Sequence, residues 1–193
     1  MNKYNDDIRH AVEVLRKGGV ILYPTDTVWG LGCDARNAEA VAKVFAIKHR
    51  ADAKALITLV GSLAQLERTV DDIPEVAYSL MEYNEKPLTI VYDRPAATAR
   101  LAPALLAPDG TIGVRLTTEP FSAALCRAFG APLVSTSANI SGQPTPACFA
   151  EIADEVKVAA DYVCTSRRDE TTPAAASTVM RLGAGGQFKI LRP

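Results

Sequence analysis

Short apolar runs alternating with helix-period segments leave this chain few ways to fold. Residues 20–23, 56–60, 88–92, 111–116, 133–136, 162–164, 177–181 and 188–191 read as strands. Residues 28–33 read as a further short extended segment. Between them, apolar side chains recur at helical spacing. Ile8, Ala11, Val12 and Leu15 share one face of a helix from Asp6, its expected cap, to about residue 17, and Gly18-Gly19 stops it. Asn37 caps a helix over 38–47, with Val41, Val44 and Phe45 inward. Further helices are expected over 63–69, 74–83, 120–129 and 149–156. Residues 94–109 are rich in Pro and Ala and read as loop with one helical turn. Residues 139–146 are turn-rich, and 165–176, polar and Pro-containing, are expected to be mobile. Strands and helices alternate without a long linker. The expected fold class is therefore α/β: a single domain over 1–193, built on a twisted, mixed, open sheet with flanking helices.

The 193 residues are enough for one such domain with a substantial core. Net charge is −1, which excludes nucleic-acid binding by bulk charge but leaves room for a local basic patch. No apolar run reaches the roughly 20 residues that span a bilayer, so no membrane partner is expected. The polar N-terminus does not resemble a signal peptide. Cys33, Cys126, Cys148 and Cys164 are scattered without metal or redox spacing, which suits free thiols in a reducing cytoplasm.

The chemistry concentrates at strand ends. Residues 20–23 run into Pro24, which cannot donate to a ladder, and then into Thr25, Asp26 and Thr27. Gly30 and Gly32 follow, where backbone can approach closely. A second polar exit, Ser135-Thr136-Ser137-Ala138-Asn139, lies far along the chain; Ser135 and Ser137 alternate and share a face. Between the two lies the basic cluster Lys48-His49-Arg50 with Lys54. If the chain leaves the preceding helix extended, Lys48 and Arg50 point the same way, which suits a polyphosphate. Ordinary helix-end charges are the competing explanation. Arg115 sits near the end of its strand, where it could pair with a carboxylate or phosphate, or simply lie at the surface. No phosphate loop and no nucleophile elbow is present, and His10 and His49 are the two histidines.

Taken together, these segments resemble the YrdC-like family, the threonylcarbamoyl-AMP synthases. The matching stretches are Tyr-Pro-Thr-Asp-Thr-Val-Trp-Gly-Leu-Gly-Cys-Asp-Ala at 23–35, Lys-His-Arg at 48–50 and Ile-Gly-Val-Arg-Leu at 112–116. Val-Ser-Thr-Ser-Ala-Asn-Ile-Ser-Gly at 134–142, Ser-Thr-Val at 177–179 and Ile-Leu-Arg-Pro at 190–193 complete the set. They follow the family's order over nearly the whole chain. The resemblance implies a sheet with a large concave face. It also implies conversion of L-threonine, bicarbonate and ATP to threonylcarbamoyl-AMP and pyrophosphate, with Mg2+ accompanying ATP. A separate transferase would pass the product to the tRNA adenosine beside the anticodon. Carried over by motif, Thr25, Arg115, Ser135 and Ser177 would contact threonine. Lys48, Arg50, Thr111, Ser137, Thr145 and Arg192 would contact ATP, with Lys48 and Arg50 as the catalytic cations. Asn139 would hold the loop after the second strand exit and is counted with the ATP-binding set. No resident metal site is implied, and double-stranded RNA or tRNA is a possible partner.

The sequence departs from the family at several places. Trp29 stands where tyrosine is commoner, Ala51 and Ala55 where proline is frequent, and Asn84-Glu85-Lys86-Pro87 replaces Trp-Pro-Gly-Pro. The extra C-terminal domain of longer relatives is not expected, so residues 165–176 are the candidates for closing the site. The alternatives are an RNA-binding paralogue without synthesis and a related enzyme with another amino acid.

Overall fold

The structure, a computed structural model, describes residues 4–49, 56–171, 176–183 and 185–193. Among the described residues six α-helices, α1 (Asn5–Arg16), α2 (Ala38–Ile47), α3 (Leu63–Thr69), α4 (Glu75–Tyr83), α5 (Pro120–Phe129) and α6 (Asp154–Ala159), flank a mixed sheet. Its strands are β1 (Ile21–Tyr23), β2 (Gly30–Gly32), β3 (Ile57–Val60), β4 (Leu88–Tyr92), β5 (Ile112–Leu116), β6 (Leu133–Ser137), β7 (Tyr162–Val163), β8 (Thr178–Leu182) and β9 (Phe188–Arg192). Their order is β7-β1-β2-β6-β3-β5-β4-β8-β9. Three neighbouring pairs are parallel, β1–β7, β3–β5 and β4–β8, and the rest are antiparallel. The expected α/β fold with a mixed sheet and flanking helices is what forms.

Two buried clusters hold the sheet. One joins α1, α2 and α5 to β1, β2 and β6 through Leu15, Leu22, Val44, Phe121, Leu125 and Val134, among others. The second packs α3 and α4 on β4 and β5 through Leu66, Ala77, Ile90 and Val114. Helix starts follow their caps. Asn37 accepts from the backbone N–H groups of Glu39 and Ala40, and Ser62 from that of Gln65. Glu119 caps α5, with Pro120 in its first turn.

Local expectations fail where a long-range partner intervenes. Tyr4, not Asp6, is the residue before α1. The neighbouring carboxylate, Asp7, turns away and accepts from the backbone N–H groups of Thr165 (3.0 Å) and Ser166 (2.7 Å) and from the Tyr162 hydroxyl (2.7 Å). Arg168 donates to the carbonyls of Cys164 and Val163. Residues 165–168, expected to be mobile, are therefore tied down; 172–175 lie outside the described residues. The expected helix over 149–156 is broken. A 3-10 turn, Phe149–Glu151, precedes α6, because Glu151 reaches back to the backbone N–H of Ala147 (2.8 Å). Among the described residues no helix is long and apolar enough to cross a membrane. The four cysteines are free.

Candidate active site

Residues paired across a sheet share a face. Ser135 is opposite Ile57, Ser137 opposite Gly30, and Arg115 opposite Thr89. Gly30 leaves that face low, and a cleft of about 410 Å3 opens over it. Thr25, Gly30, Arg115, Ser135, Ser137 and Thr145 line it, with Ser177 and Arg192 at the β8–β9 side. Its volume suits a small molecule. Among the described residues the charged side chains lining it are two guanidiniums, and none is a carboxylate. The cleft is thus shaped for an anion.

Each wall is fixed by specific partners. Thr25 is buried, and its hydroxyl is used within its own turn: it donates to the Val28 carbonyl (2.7 Å) and accepts from the Thr27 backbone N–H (3.1 Å). Local turn bonding thus accounts for this hydroxyl, and Thr25 offers the cleft its methyl face. Arg115 is not at the surface. It is 3 % exposed and lies 3.0 Å, Nη2 to Oδ1, from Asp26. Burial pushes the Asp26 carboxyl above its ordinary range, against the pull of Arg115. Ser177, also buried, is 2.9 Å from the Thr89 hydroxyl, and Arg192 donates to its carbonyl through Nε (3.0 Å) and Nη2 (2.8 Å). Just beyond the wall at Thr145–Ala147, the Phe149 ring meets Trp29 at 4.8 Å and lies under Arg168.

Three expected ligand residues fall outside the lining. Lys48 is 3 % exposed; its ammonium donates to the carbonyls of Ser137 (2.5 Å) and Asn139 (2.7 Å). It supports the β6 exit from behind. The chain does not leave the helix extended at these two positions: Lys48 is helical and His49 has φ +49°. Arg50 and Lys54 lie outside the described residues, as do Ala51 and Ala55. Thr111 precedes β5, at the end away from Arg115, and its hydroxyl donates to Asp109 (2.7 Å). Asn139 holds its loop as expected, donating to the carbonyls of Ile140 (3.0 Å) and Gln143 (2.8 Å).

Several participants were not singled out from sequence. Asp26 lay inside a quoted motif, but nothing local marks Arg115 as its partner. Thr89 is 88 residues from Ser177. Arg167, with φ +61°, donates to the Thr25 carbonyl (3.0 Å) and pairs with Glu119 (3.0 Å) and Glu170 (2.7 Å), strapping the 165–171 loop to the cleft floor.

Comparison with known proteins identifies relatives of this chain. The Sua5/YciO/YrdC family model, described as "Telomere recombination", matches residues 13–193. The threonylcarbamoyl-AMP synthase of Halorhodospira halophila is 44% identical over 147 residues, 75% of each chain. Among solved structures, P. abyssi Sua5 complexed with L-threonine superposes with a TM-score of 0.82 at 28% identity. That match covers 96% of this chain and 53% of that protein, so this chain spans about half of its length. E. coli YciO superposes with a TM-score of 0.78 at 28% identity, covering 96% of this chain and 87% of that one.

Proposed function

The chain belongs to the Sua5/YciO/YrdC family, and from that premise we infer that it is a threonylcarbamoyl-AMP synthase, a nucleotidyltransferase acting on L-threonine, bicarbonate and ATP. The observation that carries this reading is the hydroxyl-lined cleft whose charged side chains, among the described residues, are two guanidiniums. Both a carboxylate and a polyphosphate are recognised by such groups. Arg115, Ser135 and Ser177 form the amino-acid side, with Thr25 supplying the wall. Ser137, Thr145 and Arg192 form the nucleotide side. Lys48 acts on ATP through the strand end that it clamps.

The chemistry needs placement more than a nucleophilic side chain. The neutral threonine amine attacks the bicarbonate carbon; an N–C bond forms and water leaves, giving a carbamate. A carbamate oxygen then attacks the α-phosphorus of ATP, and the bond to the pyrophosphate oxygen breaks. The cationic cleft offsets the charge that develops on the phosphates. Magnesium arrives complexed to ATP, as part of that substrate. The cleft offers hydroxyls as neutral oxygen donors, so the ion would be held mainly by phosphates and water. The product is a reactive mixed anhydride, so a separate tRNA threonylcarbamoyl transferase that consumes it promptly fits the reading. A reducing cytoplasm fits the four free cysteines.

Pyrophosphate release tests the assignment. It should require threonine and bicarbonate together, and equal ATP turnover without either one overturns it. Serine should be poorer by roughly 10- to 200-fold, the cost of one methyl. A double-stranded RNA- or tRNA-binding paralogue without synthesis would bind RNA in the same preparation and release no pyrophosphate.

A further inference from the structure

Arg115 reaches the cleft from the middle of the sheet, and its orientation needs a cause. Its side chain is 4% exposed, and the near charge is Asp26, 3.0 Å away. Asp26 belongs to the turn after β1 and is not among the residues lining the cleft. The carboxylate therefore meets the guanidinium from outside the cleft wall. Aligned hydrogen bonds do not lock the pair. Among the described residues, Arg115 Nε and Asp26 Oδ1 are buried without a hydrogen-bond partner. Attraction between charges, in a site shielded from water, is what holds the arginine. Burial disfavours the Asp26 charge; Arg115, then the residue's own backbone N–H and last Arg167 oppose that effect, while Glu119 adds to it.

We propose that Asp26 is a positioning residue for the amino-acid subsite: from outside the cleft it holds the Arg115 guanidinium in the orientation that receives the substrate carboxylate. The inference rests on the assignment of Arg115 to that carboxylate. An arginine has several rotatable bonds, and a fork held in place before binding loses less freedom when the ligand arrives. Asp26 also balances the buried cation in the empty protein, so Arg115 can stay in a site that excludes water.

Titration calorimetry with threonine and, separately, with ATP tests this on Asp26→Ala, Asp26→Asn, Arg115→Ala and the double variant Asp26→Ala/Arg115→Ala. Asp26→Ala should weaken threonine binding by about tenfold or more, the usual scale for a misplaced binding group. ATP affinity should stay within about twofold in that variant. Asp26→Asn keeps an oxygen towards Nη2 but loses the charge, and should weaken threonine by an intermediate, measurable factor. The double variant should bind threonine no more weakly than Arg115→Ala alone. Three results overturn the proposal: unchanged threonine affinity in Asp26→Ala, an equal loss of ATP affinity, or a further loss when Asp26→Ala is added to Arg115→Ala. Should Asp26→Ala fail to fold, Asp26→Asn decides, and wild-type threonine affinity in it overturns the proposal. Failure of the synthase reading itself would appear earlier, as wild-type protein that does not bind threonine.

Discussion

The hydroxyls of Thr89 and Ser177 lie 2.9 Å apart in the interior, joining β4 to the residue that enters β8 and edges the cleft. Arg192 completes the arrangement, with Nη2 3.2 Å from the Ser177 hydroxyl. The two outer strands therefore present Ser177 to the cleft in one orientation.

Thr89→Val keeps the shape and removes the hydroxyl. Ser177 is 1% exposed, so its lost partner is not replaced by water. The cost should be about 1–3 kcal/mol of stability. For a chain of this size that is a melting shift of very roughly 2–12 °C. Threonine affinity should fall several-fold, and calorimetry on the folded variant checks it. A melting shift with unchanged threonine affinity would make the pair a strand contact alone.

Lys48→Met should destabilise the protein as well as weaken ATP. The ammonium is buried on two backbone carbonyls, and a methionine leaves both without that donor. Hydrogen bonds to charged groups contribute roughly 1.5–3 kcal/mol each. A denaturation curve and an ATP titration on the same sample measure the two effects. An unchanged melting midpoint would show that the clamp contributes little.

Asp7 makes the anchoring of the 165–168 segment sensitive to acid. Burial alone would raise its carboxyl, but hydrogen bonds from Ser166, Tyr162 and Thr165 outweigh it and hold the group below its ordinary value of 3.8. A depressed folded value means that the stabilisation is complete above that ordinary value and is lost as pH falls through the folded one. In Asp7→Asn the melting midpoint should be lower at neutral pH. The gap to wild type should close as pH falls below that ordinary value and through the lower folded one. Amide exchange at Thr165 and Ser166 should also be faster in the variant at neutral pH. A gap that stays constant with pH would assign the anchoring to the other contacts.

Gly30 keeps the cleft floor open. A Cβ placed there would lie 3.1 Å from the Thr136 carbonyl oxygen, 3.3 Å from Thr25 Cγ2 and 3.6 Å from Ser135 Oγ. The neighbours would have to give by a few tenths of an ångström, and the methyl would occupy space between the Thr25 and Ser135 walls. Gly30→Ala should raise the KM for threonine by at least severalfold, with overpacking costing about 1–3 kcal/mol of stability. Steady-state kinetics at saturating ATP would show it, and a wild-type KM would place the substrate elsewhere in the cleft.

The sequence by itself determined the elements and their sides. Alternating apolar runs and helical spacing are local patterns, so the α/β class, the cap Asn37, and the two polar exits at Thr25 and Ser135–Ser137 were legible. The ordered motifs also marked Arg115, Ser135, Ser137, Thr145, Ser177 and Arg192, which the structure brings into one cleft. Only the tertiary structure decided which polar groups face the ligand and which face each other. Lys48 carries the same signature as an exposed helix-end cation, yet it is buried on carbonyls roughly ninety residues away. The Thr25 hydroxyl is consumed in its own turn, Thr111 is at the far end of its strand from Arg115, and Asp7 serves a loop about 160 residues on. Hydrogen-bond partners set by chain crossing leave no periodic trace, because a side chain's identity fixes what it can bond but not what the fold brings within 3 Å of it.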